Sequence, residues 1–204
     1  MSMSGITTGT PSKILFGPGV YFKGATYDEK VAPTAEEIKP LIIGATQEGG
    51  TMTITPELFA PELDHATVAI RELQKKVGET AEMEVTFAEL SAEGVANQVF
   101  GAVGETTDKN YDVITSSDIT AGHFYEGFGY YGELWDGRPV IIIFKQALCT
   151  SGFTTDAKNK TNSTFKGTFA CHSDIEYSTT KLPYAIFIRK AEGWTAVAAG
   201  EATA

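Results

Sequence analysis

The sequence predicts a mainly β protein built as one domain with a single helix, and three stretches carry that reading. Val140, Ile141, Ile142, Ile143 and Phe144 form a short apolar run with β-branched residues on both faces, the pattern of a central strand covered on both sides. Residues 163–172 alternate, with Phe165, Phe169 and Cys171 on a dry face and Thr164, Lys166, Thr168 and His172 on a wet one. The clearest period of two lies within residues 79–90, where Ala81, Met83, Val85 and Phe87 alternate with Thr80, Glu82, Glu84, Thr86 and Ala88. These patterns put Val85, Phe87, Ile142, Phe144, Phe165 and Phe169 in the core.

Taken in chain order, residues 13–24 read as two short strands around the Gly17, Pro18, Gly19 turn. Residues 25–38, with Pro33 and the Glu36, Glu37 pair, read as a long loop that continues to Pro40. Residues 41–43 and 51–55 flank Gln47, Glu48, Gly49 and Gly50, a hairpin signal, and Pro56 and Pro61 then break the pattern. Residues 67–73 are expected to pair with 79–90 through a turn at 75–78. Ser91 is a helix N-cap with Glu93 in the first turn, and Ala92, Val95, Ala96, Val99 and Phe100 fall at i, i+3, i+4, i+7 and i+8. That spacing predicts one flanking helix over about 91–101 with Val95 and Val99 packed on the sheet. Residues 104–120, rich in Thr, Ser and Asp, read as an exposed loop, and 124–134 and 184–189 as strands. The division is a 1–12 arm, a single 13–190 domain and a 191–204 tail, the loops and both ends lacking core periodicity.

Composition narrows the function. Of 204 residues, 42% are hydrophobic, which suits a folded chain. No apolar run approaches the roughly 20 residues that span a bilayer, and residues 1–10 lack a basic start and an apolar stretch. The expectation is a protein with no membrane partner, kept in a cytoplasm until something carries it out. A net charge of −10 argues against wrapping nucleic acid. The charge is also polarised: residues 77–137 hold twelve acidic and one basic side chain, residues 138–190 eight basic and three acidic. Such a chain is suited to mating head-to-tail with its own copies, and equally to presenting two independently solvated faces.

Catalytic and cofactor motifs are weak. Gly127, Gly129 and Gly132 satisfy GxGxxG, but the turn at 135–139 follows where dinucleotide binding needs a helix, so the glycines are read as bulges or close backbone contacts in an aromatic strand. Cys171 and His172 are adjacent in an alternating strand and so project to opposite faces, which is no arrangement for a nucleophile and its base. Cys149 and Cys171 read as buried reduced thiols, and His65, His123 and His172 have no ligand spacing. The chain is read as a non-enzyme without cofactor or metal.

The stretch from Arg138 to His172, with residues 144–158 joining its two strands, resembles the late part of the major tail protein, the tail-tube protein, of long-tailed bacteriophages. The likeness continues upstream in Ile43, Gly44, Ala45, Thr46 before a Gly-rich turn, in Ile54, Thr55, Pro56, Glu57 before an irregular loop, in the long strand at 77–90 and in the single helix after it. It covers about residues 40–190 and resides in the succession of these motifs.

The resemblance implies a β-barrel or β-sandwich tail-tube protomer. It implies homo-oligomers, six-membered rings stacked into a hollow tube in the virion tail and assembled in the host cytoplasm. The partners would be tape-measure protein and tail-tip or terminator proteins, with DNA passing through without specific binding. In such a tube Glu82, Glu84 and Thr86 are the candidates for the lumen wall, where carboxylates would repel phosphate. The competing expectation is a carbohydrate- or receptor-binding β-sandwich using Tyr125, Tyr130, Tyr131 and Trp135 as a platform.

Overall fold

A computed structural model describes residues 10, 13–64, 68–106, 110–156, 163–192 and 194. The protein is mainly β. Ten strands run β1 (Leu15–Phe22), β2 (Thr46–Phe59), β3 (Lys75–Phe87), β4 (Gly101–Glu105), β5 (Asp112–Ser116), β6 (Tyr125–Leu134), β7 (Pro139–Cys149), β8 (Thr154–Asp156), β9 (Thr164–Cys171) and β10 (Tyr184–Ile188). Two helices, α1 (Ala35–Ile38) and α2 (Ala92–Gln98), interrupt them.

Eight strands form one antiparallel sheet along the path β1-β6-β7-β9-β3-β2, with β10 added on β7 and β8 on β9, while β4 and β5 make a separate hairpin. The path closes on itself. Just before β2, the Ile43 N–H donates to the Tyr21 carbonyl at 3.0 Å, and the Lys23 N–H donates to the Leu41 carbonyl at 3.1 Å. The six strands therefore enclose a barrel, and all six feed its interior: Tyr21 from β1, Met83 and Val85 from β3, Phe128 from β6, Phe144 and Cys149 from β7 and Phe169 from β9, with Met52 and Ile54 of β2 packed against them. Phe169 is the hub, its ring centroid 4.4 Å from that of Phe128 and 5.4 Å from that of Tyr125.

β7 is buried on both sides, as its sequence demands. Phe144 and Ala147 point into the barrel, while Ile141 and Ile143 join Phe22, Ala25 and Ile38 in a second cluster outside it. The strand runs to Cys149, well past the apolar run at 140–144. It serves two neighbours on one edge, β10 along Val140 to Phe144 and β9 along Ala147 to Cys149.

The second cluster corrects the loop assigned to 25–38. Thr34 caps α1 in a reciprocal capping box with Glu37, and Ile38 is buried. The segment thus packs on the outer face of β6 and β7. Residues 104–120 are likewise not all loop, since β5 pairs with β4 in register. Residues 13–24 give one strand, β1, with an irregularity between Phe16 and Val20 in place of a turn. Residues 41–43 bond β1, so no hairpin joins them to 51–55. β2 continues through Pro56, which costs nothing at an edge strand. Of the stretch expected to pair with 79–90, residues 71–73 form a 3-10 turn, and β2 takes the pairing instead.

Of the core residues read from sequence, Val85, Phe87, Phe144 and Phe169 are buried, and the half-buried Ile142 and Phe165 pack against the interior. Val95 is half-buried, but Val99 is 37% exposed. α2 ends at Gln98, and Phe100 takes a positive φ of 50°, so the apolar stripe is cut before its last positions. The residues of α2 that are buried are Ala96, Asn97 and Gln98. The outer arms, residues 1–9, 11–12 and 195–204, lie outside the described residues.

Candidate assembly surface

β3 meets β9 only from Glu82 onward, whereas it meets β2 along its whole length from Lys75. The first half of β3 and the second half of β2 consequently leave the barrel as a two-stranded arm. A register shift between Glu57 and Leu58 bends its course. The arm and its connection carry large apolar side chains in solvent: Leu58, Phe59, Leu63, Val68, Ile70 and Val77, with Val68 75% exposed. Burial of such groups is the main driving force of association, at roughly 25 cal/mol per Å².

The root of the arm is pinned by one carboxylate. Glu79, whose side chain is 7% exposed, accepts a hydrogen bond from the Leu182 N–H at 3.2 Å and another from the Tyr184 hydroxyl at 3.3 Å, and it pairs with the Lys76 ammonium. The bond from Lys76 holds its carboxyl below the usual carboxylate range, burial opposing and the Leu182 N–H and Tyr184 hydroxyl assisting.

Beyond the arm, the outward side of β3 is polar. Glu82 stands between Thr53 and Ala170, and Glu84 between Thr51 and Thr168, all on neighbouring strands. Both glutamates are exposed while Ala81, Met83 and Val85 are buried, as the alternation predicts. Thr86 departs from the reading that grouped it with them. It is 6% exposed, at the point where β2 carries Gln47, Glu48 and Gly49 opposite this single residue of β3. Crowding by that bulge leaves two acidic positions on this surface where the sequence suggested a row of three residues.

The other sequence candidates disperse. Tyr125 lies inside the barrel, Tyr130 packs on Tyr21 at 5.4 Å, and Tyr131 faces the second cluster, leaving Trp135 alone well exposed. The four aromatics therefore form no shared platform. Gly127 lies between the pairs Glu126–Gln146 and Phe128–Phe144 of β6 and β7 with φ 54°, and a Cβ there would stand 1.8 Å from the Ala25 carbonyl oxygen. A Cβ on Gly129 would stand 2.4 Å from the Phe22 ring, so this glycine series serves close packing.

Cys149 and Cys171 are both buried free thiols, and burial pushes Cys171 up to about 12, with a smaller push from Glu79. His172 turns outward to Phe124, so the adjacent Cys171 and His172 face opposite ways. His123 accepts the Thr120 N–H at Nδ1, 2.9 Å, which leaves the Nε2 hydrogen for the Gly101 carbonyl at 3.2 Å. It ties the turn before β6 to β4. Among the described residues no group of three or more His, Cys, Asp or Glu could hold a metal ion, and no helix is long and apolar enough to cross a membrane.

Comparison with known proteins finds no family model that matches the chain and no curated protein that matches it. Sequence reasoning missed the arm because Pro56 was read as a break. The signal that remained was Leu58 and Phe59 just beyond it, apolar residues in a stretch otherwise polar.

Proposed function

We propose that this chain is a structural protein of a long bacteriophage tail, polymerising as stacked six-membered rings into the tube through which DNA leaves the virion. The observation that carries the reading is the two-stranded arm and its connection, which together hold six large apolar side chains in solvent, an arrangement that costs solubility unless another copy covers it. The closed barrel supplies a rigid body for each protomer, and the sequence resemblance supplies the ring and the tube. Within the tube, Glu82 and Glu84 line the lumen and repel phosphate, so that DNA slides without specific binding. The partners are further copies, the tape-measure protein that fills the tube before ejection, and tail-tip or terminator proteins at its ends.

Negative-stain microscopy and light scattering of concentrated protein test this. Rings or tubes are the expected outcome, and a strict monomer at every concentration overturns the reading.

A further inference from the structure

We propose that the groove beside β10 is the seat of the two-stranded arm of the next copy of this chain. The inference rests on the assembly reading given above and adds to it the surface that receives the arm. A closed ring needs a head-to-tail contact, in which two different patches of each protomer meet. The arm is one patch, and an arm docking on an arm would stop at a dimer. The second patch has to be apolar, open and carried by the barrel body.

The groove between β10 and the segment leading into α1 meets those needs. It holds about 780 Å³, with walls that include Pro33, Tyr131, Ile141, Ile186, Phe187 and Ile188. A cavity of about 150 Å³ admits benzene, so several side chains of the arm fit here. Ile186 and Ile188 are 47% and 62% exposed, a second apolar surface in water on the same molecule. β10 also has a free edge, since among the described residues it pairs with β7 alone. The outward N–H and C=O groups of such an edge accept the backbone of an added strand. The outer half of β2, at the end of the sheet path, offers a free edge of its own. Charge fits the same pairing. The outgoing limb of the arm, residues 57–64, carries Glu57, Glu62 and Asp64 and no basic residue. The groove wall carries Arg189 and Lys190 against Glu192. Opposite charges favour arm on groove over arm on arm.

The test mixes two full-length variants, Leu58→Cys and Ile188→Cys, at a concentration where the native chain associates, and treats the mixture with a short bis-maleimide. Both positions are exposed, whereas Cys149 and Cys171 are buried and so shielded from the reagent in the folded chain. Cross-linked dimer is expected in the mixture and in neither variant alone. Dimer formed by Leu58→Cys alone would show arms docking on arms and overturn the proposal. Association of both variants without a mixed cross-link would also overturn it, while leaving the tube reading in place. A native chain that stays monomeric at every concentration overturns both.

Discussion

The Tyr184 hydroxyl donates to the Glu79 carboxylate at 3.3 Å across 105 residues of chain. The strand that β7 carries beside the barrel, β10, thereby holds the root of an arm made by β2 and β3.

That contact sets a first expectation. Glu79→Ala leaves the Leu182 N–H and the Tyr184 hydroxyl without their acceptor, at a cost of about 1–3 kcal/mol. Urea unfolding measures it, and an unchanged midpoint would show that water serves the two donors equally well.

The same carboxylate gives a pH dependence. Its folded pKa is depressed below the ordinary 4.5, chiefly by Lys76. Its stabilising contribution is therefore complete above the unfolded value and lost as pH falls through the folded one. Stability of the native chain should decline on acidification below about pH 4.5 more steeply than that of Glu79→Gln, which has no proton to take up. Parallel unfolding curves between pH 6 and pH 3 provide the check.

On the arm, Leu58→Asp with Val77→Asp should leave monomer stability within about 0.5 kcal/mol, since both side chains are already in water. Self-association should be lost. Light scattering at rising concentration compares the pair with the native chain, and undiminished assembly would remove the arm from the interface.

On the acidic strip, Glu82→Lys with Glu84→Lys should fold normally, because exposed charges contribute about 1 kcal/mol or less. Val85→Asp or Phe87→Asp should not fold, since each puts a carboxylate into the barrel interior. On the tail-tube function proposed above, tails assembled from the double lysine chain should retain DNA or eject it slowly, with strong salt dependence. Ejection unchanged at low salt would move the strip away from the lumen.

In β6, Gly127→Ala requires a side chain 1.8 Å from the Ala25 carbonyl oxygen at φ 54°. The backbone must yield, and a loss of about 1–3 kcal/mol is expected. Thermal unfolding that matches the native chain would show that residues 25–27 move aside freely.

Much of this barrel was legible because strands report their burial every second residue. Val85 and Phe87 against Glu82 and Glu84 could be sorted without coordinates, and so could the doubly covered β7. The failures share a cause: local signals were weaker than the tertiary contacts that override them. α1 is four residues long, so its capping box at Thr34 and Glu37 had no apolar stripe to announce it. Val99 continued a stripe whose helix had already ended at Gln98. Thr86 kept the right side of β3, but a bulge in a different strand buried it.

The join between Glu79 and the segment at 182–184 also orders events in time. β2 and β3 are neighbours in the chain, so their hairpin is a local structure of the kind that forms in microseconds. The barrel needs β1 to find β6 and β3 to find β9, and such distant closures place folding in the slower range of milliseconds to seconds. By that order of rates the apolar arm forms before the body that aims it. Only when the final strand emerges do Leu182 and Tyr184 reach Glu79 and fix the arm's direction. The direction of the apolar arm is thus the last thing fixed, by the segment at 182–184.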